Sequence, residues 1–292
     1  MAGFLGTTTS FSIFEAPVPS KLDFEAVRAW AFSDAVTPEG TRLGWVGLGN
    51  AVDTDFSFGI DHGRFAALSL RVDSRKASGA ALKLQLAEAV QEELAQSGHI
   101  SNEREKELRE AILAKLISKA EWTPALTDCL WDLEKGRLLV AASPKAALPL
   151  LERFTSTFGV DAQPYTPNED LPSFFARLSR ENVSVNGREL SCAGSATLAT
   201  PLHVEGKMAV AVQNNENTIA SALDEGLIIQ KLAMIAEASD GTLEFSLDTS
   251  LTVSGLKLPK AEKGADMDTD FLLKADVCVM VADLALAIAG VG

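Results

Sequence analysis

The 292-residue chain has few cysteines, and none of them is paired by spacing. Cys129, Cys192 and Cys278 are far apart and form no Cys-x-x-Cys motif. Because disulfide frameworks and zinc sites need clustered cysteines, neither is indicated. We interpret all three as small buried hydrophobes in a reducing compartment.

Long apolar runs and a basic N-terminal leader are also missing. No segment approaches the roughly 20 apolar residues of a membrane span. The most apolar segment, Phe271–Gly292, is interrupted by Lys274, Asp276 and Asp283, which favours an amphipathic helix. The first lysine is Lys21, so the N-terminus does not have the pattern of a secretory signal. We therefore expect a cytoplasmic protein with no membrane contact.

Motifs that carry catalysis are absent as well. Asp266, Asp268 and Asp270 have the spacing that begins a calcium loop, but Phe271 and Val277 replace its required glycine and glutamate. Aspartates at a helix N-terminus explain the pattern better. There is no Gly-x-Ser-x-Gly, and the three histidines share no metal-site spacing. We predict no enzyme, no catalytic residue, no cofactor and no metal.

Acidic residues outnumber basic residues, but the excess is not distributed evenly along the chain. The chain has 26 Lys and Arg against 40 Asp and Glu, a net charge of −14. Such a balance disfavours a protein that coats DNA, because phosphates attract cations. The segment from Arg71 to Arg153, however, has 13 basic and 13 acidic residues. One base-rich third of the chain can therefore present a locally basic surface.

The clearest local pattern is a helical hairpin within that third. Apolar residues recur every fourth position over Ala80–Ala95, and Gly98 is typical of a helix end. Asn102 is a predicted N-cap for a second helix that continues to about Lys119. A short connection between two helices predicts an antiparallel pair.

Flanking patterns predict a mixture of strands and further helices. The predicted strands are Ser10–Phe14, Arg64–Val72, Asp128–Leu133, Arg137–Ala142, Leu227–Ala236, Thr242–Leu247 and Leu251–Leu258. The predicted helices are Lys21–Phe32, Pro144–Phe158 and one from about Asp268. Pro149 is expected to kink or restart the second of these helices. Gly44–Gly49 is interpreted as a turn, and the three-proline segment Ala162–Pro172 as the main linker.

This order of elements predicts an α+β fold, in which antiparallel sheets carry packed helices and a protruding helical hairpin. We predict three regions. Residues 1–78 and 119–163 form an N-terminal α+β region, residues 79–118 form the hairpin tip, and residues 164–292 form a C-terminal α+β region.

Short segments in a shared order resemble the bacterial recombination-associated protein family RdgC. They include Leu43-Gly44-Trp45-Val46, Arg104-Glu105-Lys106-Glu107-Leu108-Arg109-Glu110, Leu130-Trp131-Asp132, Gly255-Leu256-Lys257-Leu258 and Asp268-Thr269-Asp270-Phe271. The resemblance implies a homodimeric ring around double-stranded DNA, without sequence preference, that antagonises recombinase filaments in the nucleoid. An exonuclease label also accompanies the family. The sequence departs from the family at Lys119–Thr123, where a base is lost and Glu121 is gained, and at Val210–Gln213, where no base remains.

With this resemblance, the base-rich third becomes the candidate DNA-binding surface. The candidates are Arg75, Lys76, Lys83, Arg104, Lys106, Arg109, Lys115, Lys119 and Trp122. On a helical wheel Arg104, Lys115 and Lys119 fall within about 60°. The alternative is a solvated helix with Glu103–Lys106 and Glu105–Arg109 ion pairs, and Trp122 suits a core or dimer interface equally well.

Three functions follow as hypotheses. The first is a non-enzymatic DNA-binding homodimer, the second a metal-dependent nuclease, and the third an acidic protein-interaction module without DNA affinity.

Overall fold

A computed structural model describes residues 3–200, 209–213, 216–239, 241–260, 264 and 266–291. The chain has an α+β fold, which confirms the predicted class. It divides into two compact units. Unit 1 comprises Met1–Trp30, Trp45–Leu70 and Thr127–Gly292, and unit 2 comprises Ala31–Gly44 and Arg71–Leu126.

Thirteen described strands belong to one sheet. They are β1 Thr8–Glu15, β2 Arg42–Val46, β3 Asp61–His62, β4 Phe65–Arg75, β5 Trp122–Asp132, β6 Arg137–Val140, β7 Gln163–Pro164, β8 Val183–Val185, β9 Arg188–Ala199, β10 Ala209–Gln213, β11 Ile228–Ala238, β12 Gly241–Asp248 and β13 Thr252–Lys257. The main order is β10-β9-β11-β12-β13-β1-β6-β5-β4-β2. β1 is central, because Ser12 lies opposite both Thr252 of β13 and Val140 of β6 in antiparallel registers.

Seven described helices accompany the sheet. They are α1 Glu25–Ala29, α2 Gly79–Ser97, α3 Asn102–Lys119, α4 Pro144–Phe158, α5 Leu171–Leu178, α6 Glu216–Asp224 and α7 Met267–Ile288. None of the helices in the described ranges is long and apolar enough to cross a membrane.

The last helix, α7, belongs to the core of unit 1. Half of its residues are buried, among them Phe271, Cys278 and Ile288. From Val277 to Ile288 no residue is exposed, so this half of α7 does not have the solvent-facing side that an amphipathic helix predicts. Even Lys274 is buried there, because its ammonium donates to the Leu5 carbonyl at 2.9 Å and to Asp270 at 2.6 Å. Of the three charged residues that suggested a solvent face, Lys274 and Asp283 are paired with opposite charges, and only Asp276 is mostly exposed.

Aromatic contacts hold α4 against the sheet. The Trp131 ring packs edge-on against Phe154 at 4.8 Å between centroids and also contacts Phe158 at 5.3 Å. The Trp45 indole donates to the Thr157 hydroxyl at 2.8 Å. α4 continues through Pro149 as one helix, so it does not restart there. These contacts offset the loss of one backbone hydrogen bond at the proline.

Several predicted boundaries also differ. The segment Gly44–Gly49 was predicted as a turn, but its first three residues belong to strand β2, which ends at Val46. Position 44 requires glycine, because a Cβ atom there would lie 2.5 Å from the backbone nitrogen of Phe32. The helix predicted over Lys21–Phe32 is only the five residues of α1. The predicted linker Ala162–Pro172 contains β7, which pairs with β1, and the start of α5.

Besides β2 and β7, the elements that were not predicted are β3, β8, β9, β10, α5 and α6. β9 pairs with β8, β10 and β11, so it organises the C-terminal half of the sheet. Its interior is half-buried over Ser191–Ser195, and apolar residues do not alternate regularly there.

Candidate nucleic-acid interface

The candidate surface lies in unit 2, where α2 and α3 form the predicted hairpin. The Ser78 hydroxyl caps α2 by accepting from the Ala81 N–H, and Gly98 ends it with a φ of 70°. The hydroxyl of Ser101 caps α3 by accepting from the Arg104 N–H at 3.2 Å, so the predicted Asn102 N-cap is wrong by one residue. Neither helix contains a buried residue.

Arg104 is the most heavily paired of the candidate cations. Its guanidinium donates to Glu93 of α2 at 3.2 Å and to Glu107 at 3.0 Å. These hydrogen bonds, first that to Glu93 and then that to Glu107, raise the pKa of Arg104. A phosphate would have to displace two carboxylates to reach this side chain.

Lys106 and Arg109 lie on a different face of α3. At 100° per residue, they lie about 200° and 140° around the helix from Arg104, whereas Lys115 and Lys119 lie about 20° and 60° from it. Lys106 is 3.9 Å from Glu110. The predicted Glu103–Lys106 and Glu105–Arg109 pairs are not among the ion pairs of the described residues.

Cations converge where the hairpin meets the strands. The Arg75 guanidinium, at the end of β4, donates to the Ser118 carbonyl in the last turn of α3 at 3.3 Å. Lys76 and Lys119 directly follow these two residues in the chain. Lys115 lies one turn earlier on α3. We call Arg75, Lys76, Lys115 and Lys119 the hairpin-base cluster.

The hairpin-base cluster has no carboxylate partner within 4.0 Å in the described part of the chain. Its three lysines are exposed, and Arg75 is half-buried. Asp73 and Glu121 are the acidic residues closest in sequence. Asp73 is buried and pairs with Arg71, and Glu121 is exposed. Cations at the C-terminal end of α3 also interact favourably with the helix dipole.

Lys83 extends the basic surface along α2. It is exposed, lies in the second turn of the helix and makes no ion pair with the described residues. The first turn of α2 contains no acidic residue. The positive end of the α2 dipole is therefore not neutralised locally, and this adds to the positive potential near Lys76.

Trp122 supports two arginines. The Arg75 and Arg42 guanidiniums each lie 4.2 Å from the centre of its ring. Arg42 also contacts Asp34 at 2.7 Å. Arg42 is not among the predicted residues, because it lies outside the base-rich segment and only the folded chain brings it to Trp122. In the described residues the buried indole N–H of Trp122 has no acceptor.

Metal-ligating groups do not converge in the described residues. They contain no cluster of three or more His, Cys, Asp or Glu side chains that could hold a metal ion. The Asp266 carboxylate instead caps α7 by accepting from the Thr269 N–H at 2.7 Å. That hydrogen bond lowers the pKa of Asp266 and confirms the helix N-terminus predicted there. The side chains of Val210–Gln213 in β10, where the family bases are lost, lie outside the described part.

Comparison with known proteins identifies the family. No curated protein matches the chain. The model of a family described as "Putative exonuclease, RdgC" matches residues 12–291, nearly the whole length. The chain therefore belongs to the RdgC family.

Proposed function

We propose that this protein binds double-stranded DNA without sequence preference, as a homodimer whose two subunits form a ring around the duplex. The observation that carries the proposal is the hairpin-base cluster, four cations without a carboxylate partner in the described residues. Cations of this kind neutralise phosphates, which are present in every DNA sequence. Membership of the RdgC family supports the same function.

The proposal includes a role in recombination. A ring on the duplex obstructs the growth of recombinase filaments, so we infer that the protein antagonises them in the nucleoid. Enclosure also compensates for a small number of cations, because a closed ring slows dissociation even when each phosphate contact is weak. We further propose that the protein is not an enzyme.

The test is a salt-titrated binding measurement with linear and closed-circular duplex. We expect binding at low salt and slower release from the closed circle than from the linear fragment. Lys119→Ala and Lys76→Ala should each weaken binding to all sequences about fivefold and lower the magnitude of the salt slope by about 2, because each substitution removes one cation from both subunits. Lys106→Ala is the matched control on the other face of α3 and should have little effect.

Other outcomes would contradict specific parts of the proposal. No binding at low salt would favour the protein-interaction module, and equal release from both topologies would exclude enclosure. Degradation of end-labelled duplex in magnesium or manganese, lost on chelation, would favour the nuclease. A monomer in sedimentation would exclude the ring.

A further inference from the structure

Three buried N–H groups without an acceptor belong to one stack of side chains in unit 2. They are the Nε of Arg42, the Nε of Arg75 and the indole Nε1 of Trp122. In the described part of the chain only two other buried side-chain atoms lack a partner, the Thr9 hydroxyl and the His62 Nε2. A buried donor without an acceptor has lost its hydrogen bond to water, so three of them in one stack require an explanation.

Neighbouring strands bring the three side chains together. Arg42 is the first residue of β2, Arg75 the last of β4 and Trp122 the first of β5, and the strand order is β5-β4-β2. Each guanidinium lies 4.2 Å from the centre of the indole ring. A guanidinium C–N bond is about 1.3 Å long, so the three N–H groups all lie within about 6 Å of that centre.

The stack contains two cations and one carboxylate. Arg42 pairs with Asp34 at 2.7 Å through a terminal guanidinium nitrogen, which leaves its Nε unpaired. Arg75 donates from a terminal nitrogen to the Ser118 carbonyl at 3.3 Å and has no ion pair with the described residues. The stack therefore keeps a positive charge, and an anionic acceptor gains more free energy there than a neutral one.

Burial of the three N–H groups selects a small ligand. The side chains as a whole are only half-buried, and that of Arg42 is 23% exposed, so the stack is open at its edge. A duplex phosphate is bonded to two sugars and contacts only the exposed ends of cations. A free oxyanion has no such connection and can enter beside a partly exposed arginine.

We propose that Arg42, Trp122 and Arg75 form a binding site for a small oxyanion, a free phosphate or a small carboxylate. Its oxygens accept from the guanidinium groups and from the indole N–H, which is a donor only. Arginine suits this role because its planar guanidinium presents N–H groups in a fixed geometry. Stacking on the indole holds both guanidiniums in position, so less side-chain entropy is lost on binding.

This site goes beyond the proposed function, because its ligand is a free anion and not DNA. Arg75 also belongs to the hairpin-base cluster, so a bound anion neutralises one of the cations that face the duplex. Anion binding does not require the duplex and is measured in its absence.

The experiment is a two-dimensional ¹H–¹⁵N NMR titration of the full-length protein with sodium phosphate and, separately, with sodium acetate. Sodium chloride keeps the ionic strength constant, so that screening of charges does not change. The four tryptophans give four indole signals, and Trp122→Phe identifies the signal of Trp122 by its loss. At least one anion should shift that signal downfield and to saturation, because its N–H gains an acceptor.

Two other indoles are internal controls. Trp45 and Trp131 already donate to the Thr157 hydroxyl and the Ala16 carbonyl, so their signals should not move.

Variants of the two arginines test the assignment. Arg42→Gln and Arg75→Gln should each weaken the affinity for the anion about tenfold, because a charged donor is lost. Arg42→Lys keeps the charge but not the planar group, and it should weaken affinity about fivefold. Arg28→Gln is the matched control, because it removes an arginine that pairs with Glu25, and it should have no effect. The dispersion of each spectrum establishes that the variant is folded.

Three results would overturn the inference. These are no saturable shift of the Trp122 signal with either anion, an affinity unchanged in both folded glutamine variants, and equal shifts of all four indole signals. Duplex binding without anion binding would exclude this site and leave the proposed function intact. Anion binding that depends on Arg42, in a protein that does not bind duplex, would do the reverse.

Discussion

The four tryptophans of this protein form two pairs, which differ in the contacts that their indole rings make. Trp45 and Trp131 donate to the Thr157 hydroxyl and the Ala16 carbonyl, both at 2.8 Å, and they are buried. Trp122 and Trp30 instead carry arginine guanidiniums on their rings. Buried tryptophans with acceptors are structural, and those that hold cations are the candidates for ligand contact.

Two of the three cysteines are buried, as the sequence predicts. Cys129 and Cys278 are buried, and burial raises the pKa of both thiols well above the usual range. A thiol held in the protonated form is a poor nucleophile. Cys192 is half-buried instead, on the irregular strand β9.

Asp283 of α7 provides a stability prediction with a defined pH dependence. Burial would raise the pKa of this carboxyl, but hydrogen bonds from Lys135 and Arg137 outweigh it, so the pKa lies below its usual value of 3.8. A lowered pKa means that the pair stabilises the fold above about pH 4 and that this contribution disappears on further acidification. Asp283→Asn should therefore lower the free energy of unfolding by about 1 kcal/mol at pH 7, with solvent screening allowed for.

Urea unfolding at several pH values checks this prediction. The difference between wild type and Asp283→Asn should narrow as the pH falls below 4. The control is Asp276→Asn on the same helix, whose partner Arg64 is 3.6 Å away. That substitution should change stability less, because Asp276 is 58% exposed. A constant difference across the pH range would contradict the ion pair.

At the scale of elements, the helical hairpin depends on local interactions. Neither α2 nor α3 has a buried residue, and Leu84 is 62% exposed. Helices of this length are marginal without packing, so caps and ion pairs contribute a large share of their stability. The ion pairs of Arg104 with Glu93 and Glu107 join the two helices as well as stabilise α3.

Removal of the α3 cap should fray the hairpin. Ser101→Ala leaves the Arg104 N–H without its acceptor and should cost about 1 kcal/mol. The loss should be visible as faster amide hydrogen exchange in the first turns of α3. Asn102→Ala is the control, because Asn102 lies inside the helix and alanine is the better helix former. If hydrogen exchange were faster in Asn102→Ala and unchanged in Ser101→Ala, Asn102 would be the N-cap of α3, as the sequence predicts.

At the scale of the whole molecule, the acidic charge is concentrated in unit 1. Unit 2 has ten basic and eleven acidic residues, so it carries −1 of the total −14. An acidic protein can therefore present a nearly neutral unit to DNA. In the proposed complex, like-charge repulsion would keep the acidic remainder away from phosphates.

This distribution predicts the salt dependence of DNA binding. Two copies of the hairpin-base cluster would neutralise about eight phosphates, which gives a slope of about −7 in log affinity against log salt. Affinity should fall about 10⁴-fold between 50 and 200 mM salt. Filter binding or anisotropy over that range measures the slope. A slope near zero would contradict phosphate recognition by these cations.

The sequence by itself determined the elements that depend on local pattern. The four-residue period over Ala80–Ala95, the helix end at Gly98 and the strands predicted at Asp128–Leu133 and Arg137–Ala142 all correspond to elements of the structure, because neighbouring residues specify them. The shared order of short motifs was also enough to indicate the RdgC family. The irregular strand β9 was missed, because its pairing depends on distant strands and not on its own period.

Only the tertiary structure decided which charged residues are free. Arg104 and Lys115 look equivalent on a helical wheel, but Glu93 reaches Arg104 from the other helix of the hairpin. Arg42 joins Trp122, and Arg153 covers Trp30, through contacts between residues at least 80 positions apart. Ion pairing and stacking act over a few ångströms in space, so residue spacing along the chain could not predict these contacts.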